Sequence, residues 1–137
     1  MIFIDTGAFV ARYRVSDDWH EQAVGGWREL DKSPQRIFTS DLIVAESLKL
    51  IHQYAGAGWA ARVGRQFILS SELQILRPGQ PEELQAINLI EKFADQGIGF
   101  VDCVSFVLMR QRRLTSIFGF DRHFEIAGFK LWPMETR

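Results

Sequence analysis

The sequence predicts an α/β fold in which a mostly parallel sheet carries helices on both faces. Short apolar runs typical of buried strands alternate along the chain with longer segments of helical periodicity. Because adjacent parallel strands need a long crossover connection, usually a helix, this alternation favours a parallel sheet. The sequence contains no internal repeat, low-complexity stretch or flexible linker, so residues 1–137 are expected to form one domain.

The first half of the chain predicts two strands and four helices. Ser40 or Asp41 can cap the third helix, since both residue types accept hydrogen bonds from the amino end of a helix. Pro34 ends the helix before it, and Gly56 and Gly58 interrupt the chain after it. In chain order the elements are a strand at 2–5, helices at 7–13 and 16–30, a strand at 36–39, and helices at 42–55 and 59–71.

The second half of the chain continues the alternation. Pro81 in a first helical turn, followed by Glu82 and Glu83, is typical of a helix start. Gly97 and Gly99 end that helical segment. The elements are a strand at 73–78, helices at 81–94 and 101–113, a strand at 116–120, a helical turn at 122–127 and a strand at 129–134.

Composition and charge limit the possible functions. The 137 residues are 47% hydrophobic and 24% charged, which is ordinary for a globular domain. No apolar run approaches the about 20 residues that span a bilayer, so neither a signal peptide nor membrane association is expected. Cys103 is the only cysteine, and a cytoplasmic location fits this composition. The net charge is only −1, so any nucleic-acid binding must depend on a local site.

Four carboxylates occupy related places in the predicted elements. Asp5 ends the first strand, Asp121 ends the fourth, and Asp102 begins a helix. In open parallel sheets, ligands bind in the crevice outside the carboxyl ends of the strands. Glu46 lies in the helix at 42–55, which is apolar around most of its circumference and therefore predicted to be largely buried. We expect Glu46 to lie beside the core.

Each of these carboxylates also has a purely structural explanation. The three aspartates precede helical turns and can act as N-caps, and Glu46 can pair with Lys49. As a group they are harder to explain, because carboxylates repel by roughly 1 kcal/mol per pair at 4 Å in water and by more when desolvated. A divalent cation would offset this repulsion. Oxygen donors without a pair of cysteines or histidines favour Mg²⁺ or Mn²⁺.

Two other enzyme classes that begin with an apolar strand and an aspartate fit less well. Asp-Thr-Gly at 5–7 is also the active-site signature of aspartic proteases, but those proteins are all-β, and a second such motif is absent here. A phosphotransferase of the haloacid dehalogenase type needs a second aspartate two residues on, where this chain has Gly7.

Four segments spread over nearly the whole chain match one family in order: FIDTGAFVA, TSDLIVAESLKLI, FADQGIGFVDCVSFVLM and IFGFDRHFEIAGF. In them the chain resembles the PIN-domain ribonucleases, and specifically the VapC-like toxins of toxin–antitoxin pairs. The resemblance implies a three-layer α/β/α fold around a parallel five-stranded sheet and an acidic pocket that binds Mg²⁺ or Mn²⁺ and cleaves RNA. It also implies a homodimer and a small antitoxin whose tail lies in an apolar groove and reaches the acidic pocket.

The resemblance also implies roles for individual residues. Glu46 would hold the attacking water or accept its proton, and Thr6 and Ser105 would orient carboxylates through hydrogen bonds. The implied metal ligands are Asp5, Asp102 and Asp121. The full implied catalytic set is Asp5, Thr6, Glu46, Asp102, Ser105 and Asp121.

One position departs from the family pattern. Gly119 stands where members often carry Ser or Thr, two residues before the last aspartate. This leaves open a catalytically silent PIN-like module that binds RNA or protein. The three histidines are too scattered to predict a metal triad, and His123 is the nearest to the acids.

Basic and aromatic residues add interpretations that the sequence leaves open. The basic clusters at 110–113 and 12–14 can contact phosphates or can be solvated helix ends. Aromatic side chains with helical spacing can stack bases but more often pack in a core or an interface; these are Trp19, Trp27, Trp59 and Phe67. The amphipathic segments 19–30 and 58–69 can line the antitoxin groove.

Overall fold

The predicted apolar runs form a five-stranded sheet in which all strands are parallel. The computed structural model describes residues 1–133, so Met134 of the predicted last strand lies outside the described residues. The strand order is β3-β2-β1-β4-β5, and every neighbouring pair is parallel. The strands are β1 (Ile2–Ile4), β2 (Ile37–Ser40), β3 (Leu73–Leu76), β4 (Ser116–Phe118) and β5 (Lys130–Trp132).

Seven α-helices in residues 1–133 correspond to the predicted helices. The predicted helix at 16–30 begins only at His20, because the Asp17 carboxylate accepts a hydrogen bond from the Trp19 amide at 2.9 Å and holds the preceding residues in a turn. The helices are α1 (Thr6–Tyr13), α2 (His20–Lys32), α3 (Asp41–Ala55), α4 (Ala57–Leu69), α5 (Gln80–Lys92), α6 (Phe100–Gln111) and α7 (His123–Ile126).

The order of the strands places a crevice between β1 and β4. The chain builds the sheet from β1 through β2 to β3 and then crosses back to β4 on the other side of β1. Because crossovers between parallel strands are almost always right-handed, helices before and after this reversal lie on opposite faces. The packing agrees, since α1 contacts α2 and α3, and α3 contacts α4, whereas α5 contacts α6 and α6 contacts α7. The reversal opens a ligand crevice at the carboxyl ends of β1 and β4.

The core lies on both faces of the central strands. All three residues of β1 are buried, as expected for a central strand covered by helices on both sides. Helix α6 is buried over Cys103–Met109, which anchors the helix that carries Asp102. Helix α3 is less buried than predicted: only Ile43, Val44, Ser47 and Ile51 are buried, and Glu46 is exposed. The prediction that Glu46 lies beside the core is therefore wrong.

Among residues 1–133, no helix combines the length and the apolar character that crossing a membrane requires.

Candidate active site

A pocket of about 310 Å³ lies at the crevice between β1 and β4. The four predicted carboxylates, which are far apart in the sequence, all line it, and their predicted convergence is observed. The lining residues are Asp5, Thr6, Gly7, Asp17, Trp19, Glu46, Asp102, Phe120 and Asp121.

Asp5 is the most buried carboxylate of the pocket. Its amide donates a hydrogen bond of 2.9 Å to the Phe118 carbonyl, which extends the pairing of β1 with β4 by one residue and fixes the Asp5 backbone. The Asp5 residue is 7% exposed, and its side chain makes no capping hydrogen bond to α1. Burial, reinforced by the charge of Asp102, raises the pKa of Asp5 to about 8. Capping of α1 therefore does not explain why an aspartate stands at position 5.

Gly119 leaves the space that the Asp5 side chain occupies. A Cβ atom at position 119 would lie 2.9 Å from the Asp5 Cβ and 3.3 Å from Asp5 Oδ2. Contacts this close would force Asp5 to move. Glycine at position 119, which departs from the family pattern, thus allows Asp5 to pack directly against it.

Glu46 is tied to the pocket by Thr6. The Thr6 hydroxyl, at the first turn of α1, donates a hydrogen bond of 2.9 Å to Glu46 Oε2 on α3. This bond supports the prediction that Thr6 orients a carboxylate. In the part of the chain that the structure describes, Glu46 forms no ion pair with Lys49, so the alternative explanation of Glu46 is not supported.

Asp102 projects from the first turn of α6 and contacts a histidine. Its Oδ2 lies 3.0 Å from His123 Nδ1, at the start of α7. Burial raises the pKa of Asp102, the hydrogen bond from His123 opposes the rise, and the neighbouring charge of Asp121 adds to it. The amino end of α6 is capped at Gly99, so Asp102 is not its N-cap.

Asp121 has a structural role as well as a place in the pocket. Its Oδ1 accepts a hydrogen bond of 2.9 Å from the amide of His123, the first residue of α7, so Asp121 satisfies a backbone donor at that end, although the N-cap residue is Arg122. The same oxygen lies 3.4 Å from His123 Nδ1. Asp102, Asp121 and His123 each offer a ligand atom, and these atoms lie within 4.8 Å of one another.

Ser105 does not make the predicted contact. Its hydroxyl is buried and donates a hydrogen bond of 3.1 Å to the Val101 carbonyl one turn earlier in α6. Serine in a helix interior commonly bonds back to its own helix in this way. The prediction that Ser105 orients a carboxylate is therefore wrong.

Two residues at the pocket carry no role in the sequence-based prediction of the site, and a third, His123, is only a minor candidate in it. Asp17 and Phe120 line the pocket, although the sequence pattern indicates only a helix start for the first and a strand for the second. His123 is the histidine nearest to the acids in the chain, but its contact with Asp102 depends on the packing of α7 against α6. Only the position of Phe120 directly before Asp121 is a local signal for its place in the pocket.

Neither basic cluster lines the acidic pocket. Arg110 lies at the opposite end of α6 from Asp102, about 12 Å along the helix axis, and donates a hydrogen bond to the Ala127 carbonyl. The Arg12 guanidinium stacks over the Trp27 ring at 4.6 Å. Phosphate binding by these clusters next to the acids is not supported.

The donor set of the pocket fits a hard divalent cation. Carboxylate oxygens with one imidazole nitrogen suit Mg²⁺ or Mn²⁺. Burial and the charge of Asp102 raise the pKa of Asp5, and a bound cation would oppose both effects. Asp5, Asp102 and Asp121 are the residues that could hold it, with His123 within reach of the last two.

The fold and the acidic pocket define a class of nuclease-like α/β proteins, and comparison with known proteins gives the family. The sequence matches the PIN domain family over residues 2–130, and the chain belongs to that family. It is similar to the 23S rRNA-specific endonuclease VapC20 of Mycobacterium tuberculosis, in strains CDC 1551 and H37Rv. The identity is 28% over 129 residues, which cover 94% of this chain and 95% of VapC20.

The solved structures agree with the sequence comparison. The crystal structure of M. tuberculosis VapC20, a sarcin–ricin loop cleaving toxin, superposes with a TM-score of 0.84 at 26% identity. The match covers 94% of this chain and 96% of that one. The predicted resemblance and the predicted fold class are both confirmed.

Proposed function

We propose that this protein is an endoribonuclease toxin of a toxin–antitoxin pair and that it depends on a divalent cation. The observation that carries the proposal is the convergence of Asp5, Glu46, Asp102 and Asp121 in one pocket at the reversal of strand order. Similarity to VapC20 over nearly the full length of both chains supports the same function. The alternative of a catalytically silent binding module is not favoured.

The four carboxylates have two tasks in this proposal. A bound Mg²⁺ or Mn²⁺ supplies Lewis-acid chemistry, polarising the phosphate and favouring ionisation of water. Asp5, Asp102 and Asp121 would hold the cation, and the packing of Asp5 over Gly119 fixes the position of the most buried of the three. Glu46 is oriented by Thr6 and accepts the proton of the water that attacks phosphorus.

The substrate in this proposal is single-stranded or looped RNA. The carboxylates lie inside a pocket, so a phosphodiester must bend into it, which an unpaired strand does more readily than a helix. The sarcin–ricin loop, which VapC20 cleaves, is the first candidate RNA.

A second cavity is the proposed antitoxin site. It measures about 820 Å³ and lies between α1, α2, α4 and the amino ends of β2 and β3. Both segments that were predicted to line a groove contribute to it, through Trp27 and Leu30 on α2 and Phe67 on α4. The cavity shares no lining residue with the acidic pocket, so the predicted reach of the tail into that pocket stays a prediction. Two basic and two acidic side chains line it, namely Arg12, Arg36, Asp31 and Glu72, so acidic residues of an antitoxin tail would contact the two arginines.

Charge reversal at the groove tests the antitoxin proposal. Arg12→Glu should weaken binding of the protein encoded by the reading frame immediately upstream, whereas Arg28→Glu, on α2 outside the groove, should not. The measurement is co-purification followed by isothermal titration. The homodimer and the cytoplasmic location are also proposals, and light scattering in solution tests the first.

RNA cleavage tests the main proposal. Asp5→Asn and Asp102→Asn should abolish cleavage of a sarcin–ricin loop hairpin while circular dichroism shows an intact fold. Titration with Mn²⁺ should show weaker binding to both variants. Cleavage that survives both substitutions, or that is unaffected by a chelator, would overturn the proposal.

A further inference from the structure

We propose that Trp19 and Phe120 form a stacking platform for one nucleobase at the rim of the acidic pocket. This inference rests on the proposed function and adds a positioning element to it. The platform would hold the base next to the scissile phosphate and so align that phosphate with the carboxylates.

The geometry of the two rings carries the proposal. Their centroids are 4.9 Å apart and their planes differ by 4°, so the rings are stacked in parallel. Both residues line the same pocket as the four carboxylates. Trp19 is 38% exposed, so the pair leaves aromatic surface accessible at the pocket. Bases stack on such aromatic faces without the need for a particular sequence.

Hydrogen bonds to the residues before and after Trp19 fix the backbone that carries the platform. The Trp19 amide donates to Asp17 Oδ1 at 2.9 Å, and the Trp19 carbonyl accepts from the Ala23 amide at the start of α2. His20 Nδ1 lies 2.6 Å from the Ala11 carbonyl, which ties the start of α2 to α1. These contacts fix the backbone at Trp19, and the stack with Phe120 restrains its ring, so little entropy is lost when a base stacks on it.

Phe120 connects the platform to the core and to the catalytic residues. Its ring packs edge-on against Phe118, with centroids 6.3 Å apart, and Phe118 is fully buried in β4. Phe120 directly precedes Asp121 in the chain. The position of the stacked base is therefore coupled to the position of a proposed metal ligand.

Trp59 shows what distinguishes Trp19 from the other aromatic residues. Trp59 is similarly exposed, at 36%, but it packs edge-on against Tyr13 and under the Arg62 guanidinium, and it does not line the pocket. Trp59→Ala is thus a matched control that removes an exposed tryptophan away from the carboxylates.

The test measures whether one base of the RNA couples to Trp19. A sarcin–ricin loop hairpin is scanned with single abasic substitutions, and its dissociation constant is measured by fluorescence anisotropy. Every protein carries Asp5→Asn so that the RNA is not cut. At one loop position, the abasic substitution should weaken binding by about 5- to 150-fold, as expected for loss of one base–aromatic stack.

The substitution at Trp19 should remove that dependence. In Trp19→Ala, the abasic substitution at that position should raise the dissociation constant by less than about 2-fold. In Trp19→Phe and Trp59→Ala, it should raise the dissociation constant almost as much as in the parent protein. Identical abasic profiles in Trp19→Ala and its parent overturn the platform. Failure of the proposed function is a separate result, because it appears as absent cleavage by the protein with Asp5 intact.

Discussion

His123 Nδ1 lies 3.0 Å from Asp102 Oδ2 and 3.4 Å from Asp121 Oδ1. One imidazole thus bridges two carboxylates that were predicted to bind a cation together. A protonated imidazole there acts as an internal counter-ion, and a neutral one offers a nitrogen ligand. Either way, His123 belongs to the electrostatics of the pocket.

His123 is expected to raise the affinity of the pocket for Mn²⁺ more than its affinity for Mg²⁺. Imidazole nitrogen suits transition metals better than Mg²⁺, so His123→Asn should lower Mn²⁺ affinity by about 10-fold and change Mg²⁺ affinity less. Isothermal titration with each metal measures the two affinities. His52→Asn, on an exposed position of α3 outside the pocket, serves as the control. An unchanged ratio of the two affinities would contradict this expectation.

The pKa of Asp5 predicts how stability depends on pH. The unfolded carboxyl group loses its proton near 3.8, whereas the buried one keeps it until about pH 8. Between these values the folded state binds more protons than the unfolded state, so the free energy of unfolding falls as pH rises. Without divalent cations, the melting temperature should therefore drop from about pH 5 to about pH 8.

Two controls connect this loss of stability to Asp5. The Asp5→Asn side chain cannot lose a proton, so the melting temperature of this variant should fall less between about pH 5 and about pH 8. Near pH 8 the variant should melt several degrees higher than the unsubstituted protein, at roughly 2–8 °C per kcal/mol. Mn²⁺ should stabilise the unsubstituted protein at that pH and do so far less in Asp5→Asn. A decline that is equally steep in Asp5→Asn would show that another group causes it.

Gly119 is expected to tolerate no side chain. Gly119→Ala places a methyl group 2.9 Å from the Asp5 Cβ, so it should destabilise the fold by about 1–3 kcal/mol and weaken Mn²⁺ binding. Gly25→Ala is the matched control, because a Cβ there meets nothing within 4 Å and α2 gains helix propensity. Gly119→Ser, which introduces the hydroxyl that family members often carry, should be no better than Gly119→Ala. Denaturant unfolding and isothermal titration measure both effects.

The hydrogen bond from Thr6 to Glu46 is expected to matter for turnover more than for stability. Thr6→Val keeps the shape but removes the donor, so kcat should fall by about 10-fold. Stability should change by less than about 1.5 kcal/mol, since exposed Glu46 can bond to water instead. Thr6→Ser retains a hydroxyl and should keep most of the activity. Equal losses in Thr6→Val and Thr6→Ser would argue against a role for this bond.

The alternation of elements and the places of Asp5, Asp102 and Asp121 were predictable from the sequence. Strand and helix periodicities are local. Asp5 and Asp121 follow parallel strands and so reach the same edge of the sheet, and Asp102 begins the helix that leads back to the start of β4. The side-chain contacts were less predictable. Ser105 bonds to its own helix instead of a carboxylate, and Glu46 is exposed although α3 is rich in apolar residues.

The sequence by itself therefore determined the α/β class, the family resemblance and the set of acids. The tertiary structure alone decided that His123 contacts Asp102, that Trp19 stacks on Phe120, and that Asp5 packs against Gly119. The physical reason is that periodicity and capping act over one or two turns of chain. These three contacts join segments that approach only when the strands align and the helices pack on both faces of the sheet.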